Sequence, residues 1–93
     1  GPCICFDCFE VGIEIGRRFA EEFRSEELVK PGKTGKAYVD IRAAIEIQLE
    51  ECGVLPQNIS AMPLCTFERS DLFYSYRRDR TKTGAMVSVL KLI

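Results

Sequence analysis

Apolar residues recur every fourth position from Val11 through Ile15 and Phe19 to Phe23, with Ala20 beside them. Glu14, Arg17, Arg18, Glu21 and Glu22 fill the other positions, so the spacing predicts an amphipathic helix ending near Arg24. Its start is expected at Asp7. Asp7 and Glu10 have the spacing of a capping box, and Phe6 and Val11 are placed for a hydrophobic staple. A second helix is expected from Asp40, its N-cap, with Ile41, Ala44, Ile45, Leu49 and Cys52 on one face. Gly53 suits the left-handed position past that helix, Val54 supplies the apolar follow-on, and Pro56 prevents continuation.

Strand-like segments surround these helices. Residues 1–5 read as a strand end entering a turn, and residues 37–39 as a short strand. Residues 59–64 are expected to form a strand, with Pro63 marking an edge or an end. Residues 71–76 read as a helical turn, and residues 85–93, rich in Val and Leu, as a closing strand launched by Thr83 and Gly84. Residues 30–36 are a solvated loop by composition. Their Gly-Lys-Thr is not a phosphate-binding loop, because Glu27 stands where that motif needs glycine. The order predicts an α+β (α/β layered) fold without internal repeats.

At 93 residues the chain is one small domain or a portion of a larger one. Such a length buries only about 60–65% of its unfolded surface, so the core is thin. A net charge of -1 offers no basic field for nucleic acid or a membrane surface. No apolar run is long enough to span a bilayer, and no secretory signal pattern is present. The Gly-Pro at the start also matches what a cleaved tag leaves. Five cysteines, an odd number with no signal, favour a reduced, cytoplasmic setting. Histidine is absent, which removes the usual general base near neutral pH and the imidazole metal ligand.

Three constellations carry candidate chemistry. Cys3, Cys5 and Cys8 have soft-metal ligands at close spacing but lack a fourth ligand in their own segment, so packed thiols are the preferred reading. Cys65 stands at a strand-to-loop transition with Arg69, Arg77 and Arg78 nearby in sequence, cations that would favour its thiolate. Arg77 and Arg78 follow Tyr74-Ser75-Tyr76 and precede Asp79. Guanidinium forks bind phosphate or carboxylate and tyrosines stack on bases; the alternative is a solvated turn in which Asp79 pairs with an arginine.

Taken in order, several segments resemble the laccase-domain family, also called polyphenol oxidoreductase or peptidoglycan editing factor. They are Gly1-Pro2-Cys3-Ile4, Phe9-Glu10-Val11-Gly12, Asp40-Ile41, Gly53-Val54 with Pro56 and Asn58-Ile59, Leu64-Cys65-Thr66, Asp71-Leu72-Phe73, Ser75-Tyr76-Arg77-Arg78-Asp79 and Thr83-Gly84. The family often has a second cysteine three residues past the position of Cys65, where Glu68 stands here. The resemblance implies the C-terminal half of such a domain, in an α-β-β-α layered fold with mixed sheets. It implies a purine nucleoside phosphorylase or adenosine deaminase whose zinc is held by two histidines and a cysteine lying outside this sequence. No catalytic residue and no metal ligand of that site is then expected here. Arg77, Arg78 and Cys65 become candidates for contacts to substrate or anion, or for fixing the site loop, and residues 1–5 for lining the pocket. The implied partners are a purine nucleoside, phosphate and the remainder of the domain. The alternatives are a copper-dependent polyphenol oxidoreductase, laccase-like, and a non-catalytic interaction fragment.

Overall fold

The computed structural model describes residues 1–92. Strand β1 (Glu10–Gly12) leads directly into helix α1 (Ile13–Phe23). Strands β2 (Val29–Pro31) and β3 (Lys36–Val39) form a hairpin, followed by helix α2 (Ile41–Glu51) and the single helical turn α3 (Tyr76–Asp79). The sheet is antiparallel throughout, in the order β1-β3-β2. The class is therefore α+β, as the sequence reading has it.

Register explains the small core. Ala37 lies between Val11 and Pro31, and Val39 opposite Val29. The alternation of strand side chains puts this set on one face. Tyr38, between Glu10 and Lys30, belongs to the other face, where the Lys30 ammonium sits 5.6 Å from its ring centre. Val11, Leu28, Ala37, Val39, Ala44 and Cys65 are the buried apolar residues. Pro31 is tolerated because β2 is an edge strand, where one amide is dispensable. Helix α1 comes close to the sheet at Gly16: a Cβ there would lie 3.1 Å from both Ala37 Cβ and Val29 Cγ1.

Helix α2 follows the sequence reading closely. Asp40 caps it by accepting from the Ala43 amide at 3.1 Å. Gly53 takes a positive φ of 98°, a conformation costly for residues with a Cβ, and the Val54 amide closes the end on Leu49 O. Helix α1 also ends as expected, with Arg24 in the left-handed region at φ 52°.

Five expectations need correction. Helix α1 starts at Ile13, not at Asp7, and its N-cap Gly12 offers no side-chain bond. Val11 belongs to β1, and Asp7 pairs with Lys30 instead. Residues 30–36 are not one loop: Lys30 and Pro31 end β2, and the Lys36 amide closes a tight turn on Lys33 O at 2.8 Å. Residues 59–64 run without sheet partners, and the helical turn expected at residues 71–76 forms at Tyr76–Asp79, capped by Ser75. The closing strand is not formed over residues 85–92, and Ile93 lies outside the described residues.

The molecule is only 19 Å through its shortest axis, room for about two layers. Much apolar surface is consequently uncovered. Ile45 and Leu49 on α2 are exposed, as is Ile15 on α1, and Val87, Val89, Leu90 and Leu92 are 84–92% exposed.

Candidate functional site

The chain folds residues 1–9 back onto residues 64–73. The Thr66 amide donates to Cys3 O at 3.1 Å, and the Cys5 amide donates to Cys65 Sγ at 3.2 Å. Cys65 and Thr66 are buried at this junction. The thiols of Cys5 and Cys8 both point at Glu68 Oε1, at 3.6 and 3.2 Å. One ligand atom from each of Cys5, Cys8, Cys65 and Glu68 lies within 4.8 Å of the others. A group of this kind can hold a metal ion.

Electrostatics separates the three thiols. Burial pushes the Cys8 thiol well up, reinforced by its hydrogen bond to Glu68. Burial also raises Cys5, together with its contact to Cys65. At Cys65 burial works in the same upward direction but loses: the amides of Cys5, Glu68 and Phe67 converge on its sulfur and bring it below its ordinary value. Amide dipoles, rather than the arginines expected from sequence, favour this thiolate.

Arg78 is committed to the chain. Its Nη1 donates to Thr66 O at 2.8 Å and Phe67 O at 3.1 Å, and its Nη2 donates to Phe73 O at 2.9 Å. Its fork also grips Asp79 through bonds of 2.9 and 2.8 Å. The guanidinium beside it lowers the Asp79 carboxyl, while Asp79 raises Arg78. The 66–73 turn is thus fastened by backbone carbonyls, which otherwise would face an apolar junction unpaired. Arg77 is exposed. Its Nη1 reaches Glu10 O at 2.8 Å, and its guanidinium stacks 5.1 Å from the Phe9 ring centre. Its Nε and Nη2 have no partner among the described residues.

A cleft of about 520 Å³ lies beside this junction. Gly1, Pro2 and Cys3 line it, with Ile45, Leu49 and Phe73 among its apolar walls. Arg77, Arg78 and Cys65 do not line it. Its cation is Arg42, which also donates to Leu64 O at 3.2 Å. Arg42 and Glu68 were not foreseen. Arg42 is the second residue of α2, off the apolar face that the periodicity marks. Glu68 repeats, after Cys65, the three-residue step from Cys5 to Cys8.

A family model described as multi-copper polyphenol oxidoreductase laccase matches residues 1–93. The chain belongs to this laccase-domain family. An adenosine deaminase, RL5, from an unknown prokaryotic organism is 40% identical over 91 residues, covering 90% of this chain and 35% of the relative. A purine nucleoside phosphorylase of Deinococcus radiodurans is 34% identical over 92 residues, covering 99% of this chain and 34% of the relative. The purine nucleoside phosphorylase YlmD of Bacillus subtilis is 33% identical over 92 residues, covering 97% and 33%. The laccase-domain chain thus spans about a third of the length of these curated relatives. No solved structure matches it significantly. Among the described residues, no helix is long and apolar enough to cross a membrane.

Proposed function

We propose that this laccase-domain chain is part of an enzyme acting on purine nucleosides, either cleaving the glycosidic bond with phosphate or removing an amino group with water. The observation that carries the reading is similarity over nearly the whole chain to relatives named adenosine deaminase and purine nucleoside phosphorylase. The 93 residues are then the C-terminal portion of a larger α-β-β-α domain. Its remainder would cover the exposed apolar surface of α2 and residues 87–92, which few lone proteins leave open. Five free thiols support a reducing, cytoplasmic setting.

Within that enzyme the roles divide by available donors. Arg78 fixes the 66–73 turn, since its donors already serve the chain. Arg77 keeps donors for a phosphate or nucleoside contact. Cys65 anchors the junction, and residues 1–3 form part of a pocket wall. A histidine-cysteine zinc site does not fit these residues, since the chain has no histidine. Such zinc, supplied by the rest of the domain, activates or polarises the attacking group when bound.

The test is product analysis on the native polypeptide with inosine or adenosine. Sugar phosphate formed only with phosphate present identifies phosphorolysis, and ammonia released without phosphate identifies deamination. Neither product would sink the reading. A copper-dependent phenol oxidation is the second reading, favoured by the description of the matching family. It requires phenol turnover that chelation abolishes and copper alone restores.

A further inference from the structure

Two turns of similar design meet where the chain folds back. In the first, Cys5 and Cys8 stand three residues apart and the Cys8 amide donates to Cys5 O at 3.1 Å. In the second, Cys65 and Glu68 stand three apart and the Arg69 amide donates to Cys65 O at 2.9 Å. Each turn also aims amides at the sulfur of its first cysteine: Asp7 at Cys5, and Phe67 and Glu68 at Cys65. At Cys65 these amides outweigh burial and favour the thiolate, the form that binds metal, whereas at Cys5 burial outweighs the single amide and favours the thiol.

Distances fit a small tetrahedral ion. Zinc with sulfur at about 2.3 Å and oxygen at about 2.0 Å places its ligand atoms roughly 3.5–3.8 Å apart. Glu68 Oε1 lies 3.6 Å from Cys5 Sγ and 3.2 Å from Cys8 Sγ, and no pair in the group exceeds 4.8 Å. Closing the group therefore requires shifts of about 1 Å or less, within the reach of side-chain rotation. Three sulfurs exclude calcium and magnesium, which take oxygen ligands, and the carboxylate favours zinc over the softer monovalent copper.

We propose that Cys5, Cys8, Cys65 and Glu68 hold one zinc ion in a closed tetrahedral site that clips residues 5–8 to the 65–68 turn. The site uses no histidine and is separate from the one the family resemblance implies. It does not depend on the nucleoside reading. With all four positions supplied by protein it is structural, because no position remains for water or substrate. Zinc replaces the three thiol protons, which leave to solvent, so the thiol-to-Glu68 hydrogen bonds give way to metal bonds. Arg78 supports the second turn from behind through Thr66 O and Phe67 O, the carbonyls lying between the two ligands.

The experiment compares native polypeptide, purified under reducing conditions, with its Cys8→Ser and Glu68→Cys variants. Bound zinc is counted, and cobalt is then substituted for it. The wild type should carry about one more zinc per chain than Cys8→Ser. Its cobalt form should show sulfur-to-cobalt charge transfer from this site that is lost in Cys8→Ser along with the metal and grows by about a third in Glu68→Cys, where a fourth sulfur joins the three. Cys8 is only half-buried, so its serine variant should keep native circular dichroism. Equal zinc content and an equal cobalt spectrum in folded wild type and Cys8→Ser would overturn the site. So would a disulfide joining any two of these cysteines in protein taken directly from cells.

Discussion

The backbone amide of Cys5 donates to the sulfur of Cys65 at 3.2 Å across sixty residues of sequence. This bond does two things to Cys65. It favours the thiolate, and it belongs to a junction that leaves the residue only 4% exposed. Reactivity requires both thiolate and access. An alkylating reagent should therefore label exposed Cys52 first and Cys65 last in the native protein, with mild denaturant removing the difference. Mass mapping of modified peptides over time checks this; early labelling of Cys65 would show that the junction opens readily.

The Arg78–Asp79 pair makes a pH prediction. The folded Asp79 carboxyl lies below its ordinary value of 3.8. A depressed carboxyl contributes stability that is complete above the unfolded value and is lost as pH falls through the folded one. Thermal unfolding of wild type should thus lose ground to Asp79→Asn as pH drops below about 4, and exceed it near neutrality. Parallel curves across that range would mean solvent screens the pair completely.

Arg77 and Arg78 should respond differently to lysine. Lysine keeps the charge but loses the planar fork. Arg78→Lys leaves carbonyls of Thr66, Phe67 and Phe73 short of donors and should lower the unfolding midpoint. Arg77→Ala should leave stability within about 0.5 kcal/mol, since its site is exposed. It should instead raise the KM for nucleoside or phosphate in the native enzyme. Denaturant melts and steady-state kinetics on the same two variants separate the roles.

Gly16 sets two effects against each other. Alanine improves helix propensity by about 1 kcal/mol. Its Cβ would press on Ala37 and Val29 at 3.1 Å, and overpacking typically costs about 1–3 kcal/mol. Gly16→Ala should come out neutral to about 2 kcal/mol destabilising, and Gly16→Leu clearly worse. A stabilised Gly16→Leu would refute the close approach of α1 to the sheet.

Helix α2 should lose about 1 kcal/mol when Asp40 becomes Ala, because the Ala43 amide loses its acceptor. Asp40→Ser should recover most of this in a urea melt.

Local rules read well where local chemistry decides. Asp40, Gly53 and Pro56 punctuate α2 through their own backbone preferences, and all are visible in sequence. Apolar spacing carries the α1 pattern too far back, because Val11 continues a four-residue period while pairing with Ala37 across the sheet. Residues 59–64 and 85–92 have strand composition, but strand formation depends on partners, and none pairs with them among the described residues. The cysteine cluster was half legible. Cys5 and Cys8 stood out, yet Cys65 and Glu68 join them only through a fold-back that periodicity does not encode. Cys3, grouped with them by spacing, contributes its carbonyl to Thr66 instead.

Arg78 holds main-chain oxygens of Thr66, Phe67 and Phe73 rather than their side chains. Every residue type carries that oxygen. The turn can therefore exchange Phe67 or Phe73 for other residues over time without losing its anchor, while no other side chain offers the anchor's planar fork. Diversity in this segment should gather at the positions being held, and constancy at the one doing the holding.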